Sequence, residues 1–209
     1  MTRESALVKV LGAVAYGELK AYEGARARAA DTDDPEVRRA QRQVAAEELR
    51  HHKGFVRRLE ALGADPERAM APYRAQLDRY HSMTPADELD EAVASYLGEG
   101  IADDLLRWLR RVADAETAEF VDRVLEDEVG HEALAASELR ARLGNDPIRR
   151  IRSGVAALAM VARMARSGAA GGGVLPFGAF IELGRPAELV GALVGGQLRR
   201  LARAGILAA

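Results

Sequence analysis

The chain of 209 residues contains no cysteine. That excludes disulfides, thiolate zinc sites and cysteine nucleophiles together, and it fits a reducing cytoplasm. Runs of β-branched residues are also missing. Ala, Leu, Arg and Glu dominate instead, so an all-α fold is the expectation. No apolar stretch suits a membrane, because the longest charge-free run, Ser167 to Ile181, is glycine-rich and too short to span one. The opening residues Met1-Thr2-Arg3-Glu4-Ser5 carry both signs of charge and no apolar signal core. These absences together predict a cytoplasmic protein with no membrane partner. A net charge of −2 calls for no polyanion.

What is present is helical patterning. Leu7, Leu11, Val14 and Glu18 recur at spacings of four, three and four, which predicts a first helix from about Ser5 to Ala29 with Glu18 on its buried stripe. Asp34-Pro35 reads as a cap and first turn, opening a second helix that ends near Leu62-Gly63. Its seam is Val37, Val44, Glu48, His51, Phe55, Leu59 and Leu62, with His52 on the surface. Residues 63–84 read as two short helices broken at Ala71-Pro72, with His81 a structural histidine. A connector that long suits a crossover that makes the second and third helices parallel. Thr84-Pro85 opens the third helix, whose inner face runs Leu89, Val93, Tyr96, Glu99, Asp103, Leu106, Arg110. The fourth runs from near Asp114 to Leu143, with Val121, Val124, Glu128, His131, Ala135 and Leu139 inward.

Two motifs carry the chemistry. Glu48-Leu49-Arg50-His51 and Glu128-Val129-Gly130-His131 each place a carboxylate and an imidazole three apart, on one helix face and within reach of one ion. Each is preceded by a lone glutamate in an apolar stripe: Glu18 stands 30 positions before Glu48, and Glu99 stands 29 before Glu128. The chain thus reads as two similar hairpins, each supplying Glu and then Glu-x-x-His. That is the ligand pattern of ferritin-like di-iron carboxylate proteins, one Glu from each of two helices and Glu-x-x-His from each of the others. Isolated buried carboxylates cost several kcal/mol, so four of them beside two imidazoles ask for cations. Oxygen and imidazole donors without thiolate suit two iron ions, or manganese at one or both positions.

The expected metal ligands, which act catalytically through the metals, are Glu18, Glu48, His51, Glu99, Glu128 and His131. Asp103, one turn after Glu99, is a candidate for proton delivery, with Asp104 beside it as a solvated neighbour. Gly98 and Gly100 flank Glu99 and imply close packing or room for a ligand, since helical glycine costs about 1 kcal/mol.

Ala15-Tyr16-Gly17-Glu18-Leu19, Glu47-Glu48-Leu49-Arg50-His51, Leu62-Gly63-Ala64-Asp65-Pro66 and Gly98-Glu99-Gly100-Ile101-Ala102 resemble an actinobacterial group of ferritin-like fold proteins. That group is similar to the tRNA hydroxylases that oxidise the isopentenyl side chain of a hypermodified adenosine. The resemblance spans roughly residues 5–145. It implies a ferritin-like four-helix bundle with a long crossover between helices two and three. It also implies that the glutamates of the two Glu-x-x-His motifs bridge the ions while Glu18 and Glu99 bind terminally. In that group Asp is common where this chain has Glu99, which changes the reach of that ligand.

After Asn145-Asp146-Pro147 the composition shifts. Residues 147–209 hold nine arginines against Glu182 and Glu188, a balance of +7, which leaves −9 for the rest of the chain. The domains are therefore drawn as a bundle over 1–146 and a basic helical extension over 147–209, packed on the bundle with its arginines mostly exposed. Its parts are a helix from Ile148 to Arg166, a loop at Gly168–Gly173, and a helix from Pro186 to Ala204. Leu189, Val190, Leu193, Val194, Leu198 and Leu201 ask for an apolar partner, and Arg199, Arg200 and Arg203 lie ready for phosphates.

The leading function is an O2-activating di-iron hydroxylase or monooxygenase, supplied by an electron donor such as a ferredoxin and its reductase. Its substrate is a small molecule or, as the resemblance implies, a modified tRNA nucleoside. A ferroxidase or iron-storage protein of the ferritin type is the alternative, and a helical interaction protein without metal the third. The oligomeric state is left open, a dimer included.

Overall fold

The computed structural model describes residues 2–82, 85–167 and 177–206. Among them every regular element is an α-helix, and the helices gather into two compact units.

The first unit comprises Met1–Met83 and Ala170–Gly184. Its core is a hairpin of α1 (Arg3–Asp31) and α2 (Pro35–Ala61). Thr2 caps α1 by accepting from the Ser5 amide, and Asp34 caps α2 by accepting from Glu36 and Val37. Such a cap contributes about 1 kcal/mol. His52 Nδ1 donates to the Ala15 carbonyl at 2.8 Å and ties the two helices together. Phe55 and Leu59 are sealed inside, each contributing about 1.5–3 kcal/mol through the apolar surface removed from water. Val37, expected on the seam, is instead exposed, because it lies in the first turn, ahead of the first buried residue, Gln41.

The connector differs from the two broken helices expected of it. It is one helix, α3 (Pro66–His81), with Pro72 inside it. Pro72 lacks an amide hydrogen and opposes helix propagation. Packing offsets this, since Met70, Tyr73 and Leu77 are buried and α3 lies along α1. Tyr16 donates to Asp78 at 2.7 Å. At Gly12 the helices come so close that a Cβ would stand 2.3 Å from the Ala69 carbonyl oxygen. A short helix that the sequence pattern does not announce, α7 (Phe177–Leu183), also packs on α1, and Arg3 Nη1 donates to the Leu183 carbonyl at 2.8 Å.

The second unit comprises Thr84–Ala169 and Arg185–Ala209. It repeats the theme with a hairpin of α4 (Glu88–Val112) and α5 (Ala115–Leu143). Asp87, three residues beyond the expected Thr84, caps α4 by accepting from Leu89 and Asp90; Thr84 itself lies outside the described residues. Asp114 caps α5. Trp108, Leu106, Leu109 and Leu139 fill the core. Arg110, expected on the inner face, is exposed and pairs with Asp122.

Two further helices, α6 (Pro147–Ser167) and α8 (Pro186–Arg203), pack on α4. Trp108 Nε1 donates to the Arg185 carbonyl at 3.2 Å and fixes the start of α8. The expected loop at Gly168–Gly173 lies outside the described residues.

Candidate metal centre

In the first unit, Glu18 on α1 and Glu48 and His51 on α2 converge. All three are buried. His51 Nδ1 stands 3.5 Å from Glu18 Oε2 and 3.6 Å from Glu48 Oε2. The 3.6-residue period of the helix brings the i, i+3 pair of α2 onto one face, and the hairpin supplies the third group. In the second unit, Glu99 on α4 and Glu128 and His131 on α5 form the same arrangement. His131 Nδ1 lies 3.3 Å from Glu128 Oε2, both are buried, and Glu99 is half-buried. Within each triad the candidate ligand atoms all lie within 4.8 Å of one another.

The two carboxylates in that space, largely dehydrated, repel one another unless protons or a cation intervene. Both sets hold only carboxylate oxygen and imidazole nitrogen, donors that suit Fe(II) or Mn(II). The residues present therefore fit a divalent metal of that kind.

Behind the second triad lies a charged network that the sequence does not reveal. Asp103 and Asp104 are both buried, so Asp104 is not the solvated neighbour expected of it. Arg200, reaching from α8, is also buried. Its Nη1 and Nη2 donate to Asp104 Oδ2 and Oδ1 at 2.7 and 3.4 Å. Its Nη2 lies 3.7 Å from Asp103, and its Nε lies 3.4 Å from Glu132 Oε1. Arg107 Nη2 donates to Asp103 at 2.7 Å. Burial first, and then the adjoining Glu132 carboxylate, push the Asp103 carboxyl up to about 7.

Glycine makes this network possible. A Cβ on Gly100 would stand 2.1 Å from Arg200 Nε, and one on Gly196 would stand 2.0 Å from Asp104 Oδ2. Each glycine lies four residues before one member of the pair, Gly100 before Asp104 and Gly196 before Arg200. Each helix thus clears the space that the other helix's charged group fills. Gly100 is the signal the sequence offers, a mark of close packing that does not name its partner. Gln197 Nε2, donating to the Leu97 carbonyl at 3.1 Å, adds a second tie between α8 and α4.

Of the three arginines expected to face phosphates, Arg199 and Arg203 are exposed and Arg200 is not. Neutralising two buried aspartates outweighs solvation for that one guanidinium. Likewise Leu189 and Leu201 find a buried setting, while Val190, Val194 and Leu198 stay exposed.

Comparison with known proteins agrees with the helical fold. No curated protein matches the chain. The profile of a ferritin-like domain of actinomycetes matches residues 2–166, which takes in both Glu-x-x-His motifs and ends before α7 and α8. With most of its length covered by that match, the chain belongs to the actinomycete ferritin-like domain family.

Proposed function

We propose that the chain is an O2-activating di-iron oxidoreductase of the hydroxylase or monooxygenase type. The observation that carries this reading is the duplicated triad: two helical hairpins, each with a Glu on one helix and a Glu-x-x-His on the other. Glu18, Glu48 and His51, together with Glu99, Glu128 and His131, would hold two iron ions, or manganese in their place. Ferrous ions bound there would supply the electrons that reduce O2.

The chain's own groups have separate tasks in this reading. The carboxylates provide the negative charge that retains divalent ions, and each imidazole adds a neutral donor. Tight helix packing keeps bulk water from the buried oxygens, which strengthens their hold on a cation. Asp103 is the candidate proton carrier. Its carboxyl, raised to about 7, is populated in both forms near neutrality, one helical turn from Glu99. Arg107 and Arg200 hold it in place.

The resemblance to tRNA hydroxylases makes a prenylated adenosine, free or within tRNA, the first substrate to test, with a ferredoxin and its reductase as electron source. Anaerobic loading with Fe(II) should give about two irons per chain, as dinuclear sites require. Glu48→Ala combined with His131→Ala should abolish that stoichiometry. Loaded protein should then consume O2 and hydroxylate the substrate. Iron binding near zero would overturn the metal reading. Iron uptake into a large multisubunit particle, without hydroxylated product, would overturn the hydroxylase reading in favour of a ferroxidase.

A further inference from the structure

Helix α6 is built inside out. Among its described side chains the buried ones are small or flexible, Ser153, Ala157 and Met160, while Ile148, Ile151, Val155 and Leu158 are 67%, 70%, 63% and 69% exposed. The four exposed residues follow one another at spacings of three, four and three. At 100° per residue they fall on one narrow stripe opposite the buried face. Eight of the ten exposed large aliphatics among the described residues lie between 148 and 198, so the unsatisfied apolar surface is concentrated in this part of the chain.

We infer that this stripe is a dimer seam, covered by the same helix of a second copy of the chain. This inference goes beyond the metal reading and does not depend on it.

The spacing is that of the a and d positions of a two-helix seam, with Ile and Val at a and Ile and Leu at d. A membrane-surface helix instead shows a broad apolar face, commonly with aromatic residues; this stripe is narrow and wholly aliphatic. Charge agrees. Among the described residues the arginines beside the stripe are engaged within their own chain: Arg152 donates to Asp87, Arg149 lies 3.5 Å from Asp146 and donates to the Arg142 carbonyl, and Arg150 donates to the Gly144 carbonyl at 3.4 Å. The acidic partners of Arg149 and Arg152 lower the repulsion between two copies of the helix.

The area is sufficient. The four side chains offer roughly 500 Å², near the upper end of the largest patch on an ordinary monomer. With flanking exposed Arg149, Arg150 and Ala159, the face approaches the ~800 Å² that each partner gives to a standard interface. A two-fold axis would pair the stripe with itself.

Light scattering on the full chain after gel filtration tests this directly. The wild type should run at twice the 22.5 kDa chain mass. Ile151→Glu with Leu158→Glu should run as a monomer of unchanged helicity, because both residues face outward. Ile181→Glu, equally exposed at 69% but outside the stripe, should remain a dimer. Should the double variant lose helicity, Ile151→Cys takes its place. The chain has no cysteine of its own, so a bismaleimide must join two copies through that position. Efficient cross-linking of Ile151→Cys but not of Ile181→Cys is the expected result. A monomeric wild type, a dimer that survives the double charge, or equal cross-linking at both positions would overturn the seam. So would a monomer that floats with vesicles of mixed phosphatidylcholine and phosphatidylglycerol, or one that binds RNA through α6.

Discussion

Asp104 and Arg200, 96 residues apart, meet in a buried two-pronged ion pair at 2.7 and 3.4 Å. Each group occupies the space opened by a glycine on the other's helix. Breaking such a pair from one side costs about 3–5 kcal/mol, because the surviving charge stays buried without its partner. Arg200→Met should therefore lower the melting temperature sharply. Adding Asp104→Leu should restore much of the loss. A double-mutant cycle followed by thermal unfolding checks this, and additive losses would refute the coupling.

The Asp103 carboxyl gives a pH dependence with a definite sign. Its ordinary value is 3.8 and its folded value about 7, so the folded chain holds a proton that the unfolded chain has released. The stability this group contributes is complete below its unfolded value and is lost as pH rises through its folded value. Asp103→Asn cannot ionise. In metal-free protein, its melting temperature should gain on that of the wild type as pH goes from about 5 to about 8. A constant gap across that range would contradict the raised value.

Metal should stabilise the native chain by mass action, since the triads exist only when it is folded. At free metal a hundredfold above the dissociation constant the gain is about 2.7 kcal/mol. Fe(II) or Mn(II) should raise the melting temperature of the wild type. Glu18→Ala with Glu99→Ala should cancel that rise. Identical melting of the wild type with and without metal would count against the site.

Two glycines of α1 should respond in opposite ways to alanine. Gly24 has only the Arg28 side-chain tip within 4.0 Å of a prospective Cβ, so Gly24→Ala should stabilise by up to about 1 kcal/mol through helix propensity. At Gly12 the obstacle is the Ala69 backbone, which cannot turn aside. There the same change should cost about 1–3 kcal/mol through overpacking. Urea unfolding of the two variants decides the matter.

The four long helices and both triads are legible in the sequence because their signals are local. The Asp34 cap, together with the i, i+3 spacing in each motif, needs no knowledge of the rest of the chain. What the sequence hides depends on distant partners. Pro72 has the look of a break, yet the burial of Tyr73 and Leu77 on α1 outweighs it. Asp104 has the look of a solvated residue because its two-pronged partner, Arg200, comes from α8. Arg200 resembles any surface arginine, since nothing near it in the chain marks it for burial. The exposure of the α6 stripe is hidden for the reverse reason: periodicity shows that a helix has an apolar face, not whether its own chain covers it.

The α8 contact bears on where this chain can be cut. The family match ends at residue 166, yet a chain shortened there would keep α4 and α5 while losing the guanidinium that balances Asp103 and Asp104. The last helix acts as a tethered counter-ion. Because it is covalently attached, salt cannot exchange it and dilution cannot remove it.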